Sequence, residues 1–484
     1  MSAPPRPADA VAALAALRTS EVPLLLAVSG GGDSMALLHA AANARARFGS
    51  FPALHAVTVD HGLRRESVEE ARFVAERCSG LGIPHETVRL EWSVSPSGVQ
   101  AAARRARLRA LREAALNRNG ATILTAHTAD DDAETAAMRA ERDRGDRPSE
   151  WAGIAPALWL QPGWLFRPFL SRRREALRSY LRAETAEWIE DPSNLDRSFE
   201  RVRVRAALGE VEGRGARFVR LAAECSDARK DLAAGAAVVL RERFSPAAEG
   251  FALHLCGSAA LADAGSAGRL AMRVACAHVG GLRQMPAPDG IDRAIETVRP
   301  SGPWGEERRM SVARCLVAPD RRERHRGDLF IAPDPRERVG PMIVGRRVRQ
   351  GERGAPPARS RRVAAERWGG TLHHGVFLPP DGDPGGRQLM DGPAMLSRER
   401  RHDARTAWQA VPDAPPVPLR AETLDGGRTL SAGPLARALT PYVEFVPSHD
   451  LALGRALAEI VGAGHPLSPP PVPAAFAMAL ASGR

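Results

Sequence analysis

The chain has 484 residues, 44% of them hydrophobic, and a formal net charge of +11. That length predicts about three domains, no apolar run approaches the ~18 residues of a membrane span, and the basic balance points to a polyanionic partner. Cys78, Cys225, Cys256, Cys276 and Cys315 form no CxxC pair, which fits a reduced, cytoplasmic protein and excludes a zinc or iron–sulfur site evident from spacing.

Met1–Arg18 carries Asp9 and no basic leader, so no signal peptide is expected. Leu24–Val28 is a run of five apolar residues, which predicts a parallel strand buried on both faces. The glycine-rich turn Ser29–Ser34 follows, and a helix is expected to open at Met35. Glycine permits positive φ and close backbone approach, and a helix start directs free N–H groups and a positive dipole end into the turn. Such a turn is an anion site. Ser29 and Ser34 add hydroxyl donors, and Asp33 offers a carboxylate for Mg2+ beside phosphate. The lysine of a Walker A loop is missing, and Met35 stands where GxGxxG needs its third glycine.

Leu54–Val59 predicts a second strand, ending in Asp60, His61 and Gly62 at the edge where doubly wound sheets bind ligands. Helical spacing over Ser67–Cys78, a strand at His85–Leu90 and a basic helix at Gln100–Ala115 continue the alternation, and one or two of that helix's arginines suit phosphates. The strand Ala121–Ala126 then delivers His127, Asp130, Asp131, Asp132 and Glu134. Three aspartates before a helix are ordinary N-capping. Asp131 and Glu134, however, are three apart, project from one helix face and suit the ammonium groups of an amino acid. Alternating strands and helices predict an open parallel sheet with helices on both faces. Beyond it, Arg172–Leu181 reads as a basic amphipathic helix and Trp188–Asn194 as a helix end and turn. Arg201, Arg203 and Arg205 alternate with valines, which leaves open an edge strand with a solvated face or a phosphate-contacting segment.

The loop Ser29–Ser34 resembles the PP-loop of N-type ATP pyrophosphatases, which split ATP into AMP and pyrophosphate. Five segments resemble the tRNA(Ile)-lysidine synthetase family and occur in its order: Ser29–Leu37, Val59–Ser67 (VDHGLRRES), Ala101–Leu111, Thr125–Thr135 (TAHTADDDAET) and Glu190–Arg205. The resemblance covers roughly residues 20–206. It implies an α/β fold, a Rossmann-like doubly wound parallel sheet over residues 1–208. A mainly helical tRNA-binding domain over 209–335 follows, then a small irregular or α+β region over 336–484, rich in Arg, Pro and Gly. It also implies the reaction: ATP adenylates the wobble cytidine of an isoleucine tRNA with a CAU anticodon, and free L-lysine displaces AMP to leave lysidine.

Carried over by motif, Ser29, Gly30, Gly31, Gly32, Asp33 and Ser34 bind ATP, with His61 and His127 bordering the nucleotide and Asp33 holding Mg2+. Asp131 and Glu134 bind lysine and share the catalytic work with Asp33, while Arg201, Arg203 and Arg205 meet tRNA. The chain departs from the family at Asp132 (usually glutamine), at Leu108 (commonly tyrosine) and over Arg139–Arg147, which replaces a Gly-Ser-Gly segment. A tRNA-thiolating enzyme of the same superfamily would need cysteines in these motifs, and a silent RNA-binding protein of the same fold is the third reading. A homodimer is compatible with the sequence.

In the second half, Gly215–Arg243, Leu270–Val279, Ile291–Val298 and Leu451–Val461 predict helices, and Asp328–Ala332 predicts a short strand. The clusters Arg346-Arg347-Arg349 and Arg359-Arg361-Arg362 suit phosphate contact and a flexible linker equally. His373-His374 lacks further ligands at metal spacing.

Overall fold

The computed structural model describes residues 8–60, 62, 67–90, 99–142, 148–160, 163–190, 196, 198, 200–210, 213–247, 252–282, 284–298, 309–319, 328–334, 343–344, 436–437, 441–442 and 445–461. They divide into two compact units, the first ending at Asp231 apart from a late return at Phe445–His449. In chain order the first unit runs α1 (Ala8–Ala12), β1 (Leu24–Ala27), α2 (Gly32–Phe48), β2 (Leu54–Asp60), α3 (Ser67–Gly80), β3 (His85–Arg89), α4 (Val99–Leu116), β4 (Thr122–Leu124), α5 (Ala129–Arg142), β5 (Ala157–Trp159), β6 (Trp164–Phe166), α6 (Arg174–Ala183) and α7 (Glu200–Glu210). The long helix α8 (Arg214–Arg243) contains the division. Then come β7 (Phe244–Ala247), β8 (Ala252–Leu255), α9 (Ser258–Asp263), α10 (Gly265–Val279), α11 (Pro288–Val298), β9 (Met310–Val312), β10 (Cys315–Pro319), β11 (Leu329–Pro333), the pair β12 (Ile343–Val344) and β13 (Ala436–Arg437), β14 (Val446–Pro447) and α12 (Leu451–Val461).

The first unit is built on a seven-stranded sheet in the order β14-β5-β6-β4-β1-β2-β3. Strands β6, β4, β1, β2 and β3 are mutually parallel, with Leu24 of β1 level with Leu54 on one side and Thr122 on the other. The expected doubly wound parallel sheet is present, extended at one edge by antiparallel β5 and β14. All four β1 residues are buried, as an unbroken apolar run requires of a strand covered on both sides. On one face Leu25, Ala27, Val57, Ile123 and Leu165 pack against Leu111, Ala114 and Ala115 of α4. The chain runs outward from β1 through β2 to β3, then crosses back to β4 on β1's other flank. The loops after β1 and β4 therefore open at the switch point, where such sheets hold ligands.

Three local expectations are corrected. Helix α2 opens at Gly32 rather than Met35, because Gly31 takes the N-cap position and its carbonyl accepts from Met35 N at 3.0 Å. The segment with Arg201, Arg203 and Arg205 is helix α7 and not an edge strand; its residues four apart find partners on one side, and Val204 is buried. Trp188–Glu190 is extended rather than a helix end: Ile189 bridges to Gly31 in parallel, and its N–H donates to the Gly30 carbonyl at 2.9 Å. Asp191–Asn194 lie outside the described residues.

The second unit holds the expected helices α10, α11 and α12, the expected helix α8 is shared between the units, and the expected strand is β11. The rest of its sheet has no signal in the sequence: β11 is one of five antiparallel strands in the order β7-β8-β11-β10-β9. Those strands are three to five residues long, and β7 reads FSPA, so no period-2 pattern announces them. Helix α10 is buried along Leu270–Val279, and α12 packs on β7 and α10. The arginine clusters at 346–362 and His373-His374 lie outside the described residues. Among the described residues no helix is long and apolar enough to cross a membrane.

Candidate active site

The loop after β1 closes on its own hydroxyls. Ser34 Oγ accepts from Ser29 N at 3.1 Å, donates to the Gly31 carbonyl at 2.8 Å, and lies 3.3 Å from Ser29 Oγ. Gly30 has φ +87°, and a Cβ there would stand 3.0 Å from Ile189 Cδ1, so both backbone conformation and space demand glycine. The loop ends on the first turn of α2, whose N–H groups have no acceptors within the helix. The chemistry it offers is that of an anion cradle.

At the end of β4, the three aspartates of α5 do three different things. Thr128 caps the helix, and Asp131 Oδ2 reaches back to accept from Thr128 N at 2.7 Å and Thr128 Oγ1 at 2.8 Å, the reciprocal arm of a capping box. Asp130 Oδ2 accepts from Arg174 N at 2.7 Å and so caps α6, with Arg173 paired to the same carboxylate at 2.7 Å. Asp132 Oδ1 accepts from Ile154 N, and burial pushes its carboxyl up to about 6 against the pull of that bond and of Arg139. A Cβ at Gly153 would overlap the Asp132 carboxylate, so the departure at Asp132 is matched by a glycine opposite it. Asp132→Ala is expected to lower stability by about 1–3 kcal/mol by orphaning the Ile154 N–H, whereas Asp132→Asn keeps an acceptor oxygen there. Thermal unfolding of the two variants at pH 7 checks this; equal melting temperatures would refute it.

Asp131, Glu134 and Asp33 converge on guanidinium groups. Arg174, the first residue of α6, places Nε 3.2 Å from Asp33 Oδ2, Nη2 2.8 Å from Asp131 Oδ1 and Nη1 3.4 Å from Glu134 Oε1. Arg201 adds Nε to Glu134 Oε2 at 2.6 Å and Nη2 to Asp131 Oδ1 at 2.8 Å, and Arg205 adds Nε to Glu134 Oε1 at 2.7 Å. Three carboxylates thus face three guanidiniums and the formal charges cancel. Cancellation is obligatory, since the Glu134 side chain is 2% exposed and an unpaired charge at that depth is heavily penalised. Burial alone would lower the Arg174 pKa, but Asp131, Glu134 and Asp33 more than offset it. Burial pushes Asp33 up to about 6 despite Arg174, and its Oδ1 is buried with no hydrogen-bond partner among the described residues.

His127, at the same sheet edge, lies 3.1 Å from Thr125 Oγ1 through Nδ1, which also accepts from Arg167 Nε at 3.3 Å. Burial, then Arg167, Arg107, Arg104 and Arg201, hold its pKa well below the ordinary value, so the ring is neutral at pH 7. Arg104, Arg107 and Arg167 lie outside the cancelling cluster and add positive charge to this corner of the sheet, which suits phosphate.

Ser29–Ser34, Asp33, Asp131, Glu134, Arg201 and Arg205 are thus brought to one end of the sheet, with His127 beside them. Arg203 is exposed and donates to the Ser198 carbonyl at 2.8 Å, on a different side of α7 from Arg201 and Arg205. His61 lies outside the described residues. Sequence reasoning missed Arg174 and Ile189. Arg174 sits among Arg172, Arg173 and Arg178 in a uniformly basic stretch, so nothing local singled it out.

Comparison with known proteins is consistent with this geometry. The family model for the PP-loop domain matches residues 8–212. A tRNA(Ile)-lysidine synthase of Mesorhizobium japonicum is 36% identical over 466 residues, covering 92% of this chain and 93% of that protein. One from Hyphomonas neptunium is 46% identical over 215 residues, covering 42% of this chain and 56% of that protein. Another, from Rhizobium meliloti, is 37% identical over 311 residues, covering 62% and 65% respectively.

Proposed function

Since the chain belongs to the tRNA(Ile)-lysidine synthase family, we propose that the loop and the carboxylate cluster of its first unit serve the two halves of lysidine formation in one site. It is an ATP-dependent, tRNA-modifying ligase. The observation that carries the single-site reading is Arg174, whose one guanidinium touches Asp33 of the loop and both Asp131 and Glu134 of α5.

In the first half, the loop from Ser29 to Ser34 cradles ATP while the wobble cytidine oxygen attacks the α-phosphorus. Pyrophosphate leaves and the base carries AMP. Asp33 suits Mg2+: its buried Oδ1 lacks a partner among the described residues and lies beside the anion cradle. Bound there, the ion would neutralise charge on the phosphates. His127, neutral and flanked by arginines, borders the nucleotide.

In the second half, the side-chain amine of lysine attacks the activated carbon and AMP departs with the oxygen. Free lysine amine has a pKa near 10.4, so its neutral form costs about 4–5 kcal/mol at pH 7, and a neighbouring carboxylate that accepts the proton is useful. Neither Asp131 nor Glu134 stands empty-handed, because arginines hold both. Lysine therefore exchanges for a guanidinium, and Arg201 is the candidate to yield, at 38% exposed against 19% for Arg174. The substrate is a zwitterion, so the displaced guanidinium can pair with its carboxylate. Arg203 and the basic residues after 208 are left to contact the tRNA backbone. A thiolating reading finds no support, since Cys78 and Cys225 are buried and burial raises both thiols, Cys78 to about 12.

The test is incorporation of labelled lysine into an isoleucine tRNA with a CAU anticodon, with AMP released one for one. A tRNA lacking cytidine at the wobble position should take none, and absence of labelling on the CAU tRNA would overturn the reading. Asp33→Ala is expected to abolish adenylation while leaving tRNA binding nearly intact; normal AMP formation would remove Asp33 from the metal role.

A further inference from the structure

In the second unit, the register of β8 against β11 sets three residues of metal-ligating chemistry together. Leu255 pairs with Leu329 and His254 with Phe330. His254 is in β8, Cys256 is the residue just after it, and Asp328 precedes the first residue of β11, at the same end of this antiparallel pair. Asp328 is only 4% exposed, and its Oδ1 accepts from Gly257 N at 2.8 Å. Its Oδ2 lies 3.7 Å from His254 Nε2, and His254 Nδ1 lies 3.6 Å from Cys256 Sγ.

The carboxylate–imidazole separation is too long for a direct hydrogen bond. Two nitrogen or oxygen ligands about 2.0–2.1 Å from a tetrahedral zinc lie about 3.4 Å apart, so Asp328 Oδ2 and His254 Nε2 already stand near bridging distance, while Cys256 Sγ approaches the other ring nitrogen, Nδ1. One donor atom from each of His254, Cys256 and Asp328 can be chosen so that all three lie within 4.8 Å of one another. The two ring nitrogens face different partners, so a common ion takes one nitrogen, and the exposed Cys256 side chain is the part able to turn towards it.

We propose that His254, Cys256 and Asp328 form a binding site for a divalent cation of the zinc class, with three protein ligands and a further position open to water. The donor set selects that class: imidazole and thiolate favour zinc-like ions over Mg2+ or Ca2+, which prefer all-oxygen shells. On binding, Cys256 Sγ gives its proton to solvent and the thiolate forms the bond to the ion. The ion ties the end of β8 to the residue before β11, and by mass action it stabilises the fold that presents the three ligands. Lysidine formation has no step here, so the proposal stands apart from the reading of the first unit.

The experiment is titration of the metal-free full chain with Co2+, followed by absorption spectroscopy. A thiolate-to-cobalt charge-transfer band with one Co2+ per chain is expected, displaced by Zn2+, together with a Zn2+-dependent rise in melting temperature. Cys256→Ser should lose the band and the rise while keeping the parent's metal-free melting temperature, because Cys256 is exposed. His254→Gln should weaken Co2+ binding at least about tenfold, as loss of a ligand does. No thiolate band in the parent would overturn the proposal, leaving a carboxylate–imidazole pair beside a bystander thiol. A band that survives in Cys256→Ser would overturn it equally, by assigning the cation to another cysteine.

Discussion

A Glu134→Gln chain is expected to go on cleaving ATP and to accumulate adenylated tRNA, while lysine transfer slows by about a hundredfold or more. Glu134 accepts from Arg174, Arg201 and Arg205 and is 2% exposed. The amide keeps its size and removes its charge. A charge-assisted hydrogen bond is worth about 1.5–3 kcal/mol, and weakening two of them accounts for the expected drop. Uncompensated guanidiniums remain behind, so the melting temperature should fall as well. Single-turnover adenylation followed by a lysine chase separates the two effects, because an unfolded variant would lose both steps. A variant that consumes lysine normally yet fails to bind ATP would move Glu134 to the nucleotide. Asp131→Asn should cost more stability than its loss of charge suggests, since Asp131 also caps α5 through Thr128.

Arg174→Ala should damage both half-reactions, each on the order of 10²–10³-fold, the scale of removing one preorganised electrostatic donor at a reacting site. Three carboxylates then share two guanidiniums, and Asp33 is deprived of the cation that opposes its burial. Arg174→Lys should not restore activity, because the three donors of an ammonium sit on one nitrogen and cannot span Asp33, Asp131 and Glu134 as Nε, Nη2 and Nη1 do. Arg203→Ala, by contrast, should leave the rate of adenylation at saturating tRNA unchanged and raise only the tRNA concentration needed to reach it. Normal adenylation in Arg174→Ala would mean that the loop and the carboxylate cluster work independently.

Burial also sets how pH acts on Asp132, next to this cluster on α5. Asp132 titrates near 6 when folded, above the carboxyl's unfolded value near 3.8, so the native state holds the extra proton between those limits. Its charge is a cost to the fold at neutral pH, and the cost is relieved as pH falls from about 6 towards 4. The Ile154 N–H keeps an acceptor in both states.

Features that rest on contiguous residues were legible in the sequence by itself. The apolar run Leu24–Val28, the glycines at the loop and the three-residue spacing of Asp131 and Glu134 each carry their physical reason within a few positions. The doubly wound sheet follows from alternating such segments, and the family from their order. What only tertiary structure decided is which distant groups meet. The arginine–valine alternation around Arg201 and Arg205 suits a strand as well as a helix, and Glu134 meets residues four apart, a spacing only the helix puts on one side. Arg174 was one arginine among several until α6, capped by Asp130, aimed it between the loop and α5. The antiparallel sheet of the second unit arises from strands too short to show a period. His254, Cys256 and Asp328 have no meaningful spacing along the chain; the register of β8 on β11 makes them neighbours, and register is a property of paired strands, absent from either strand alone.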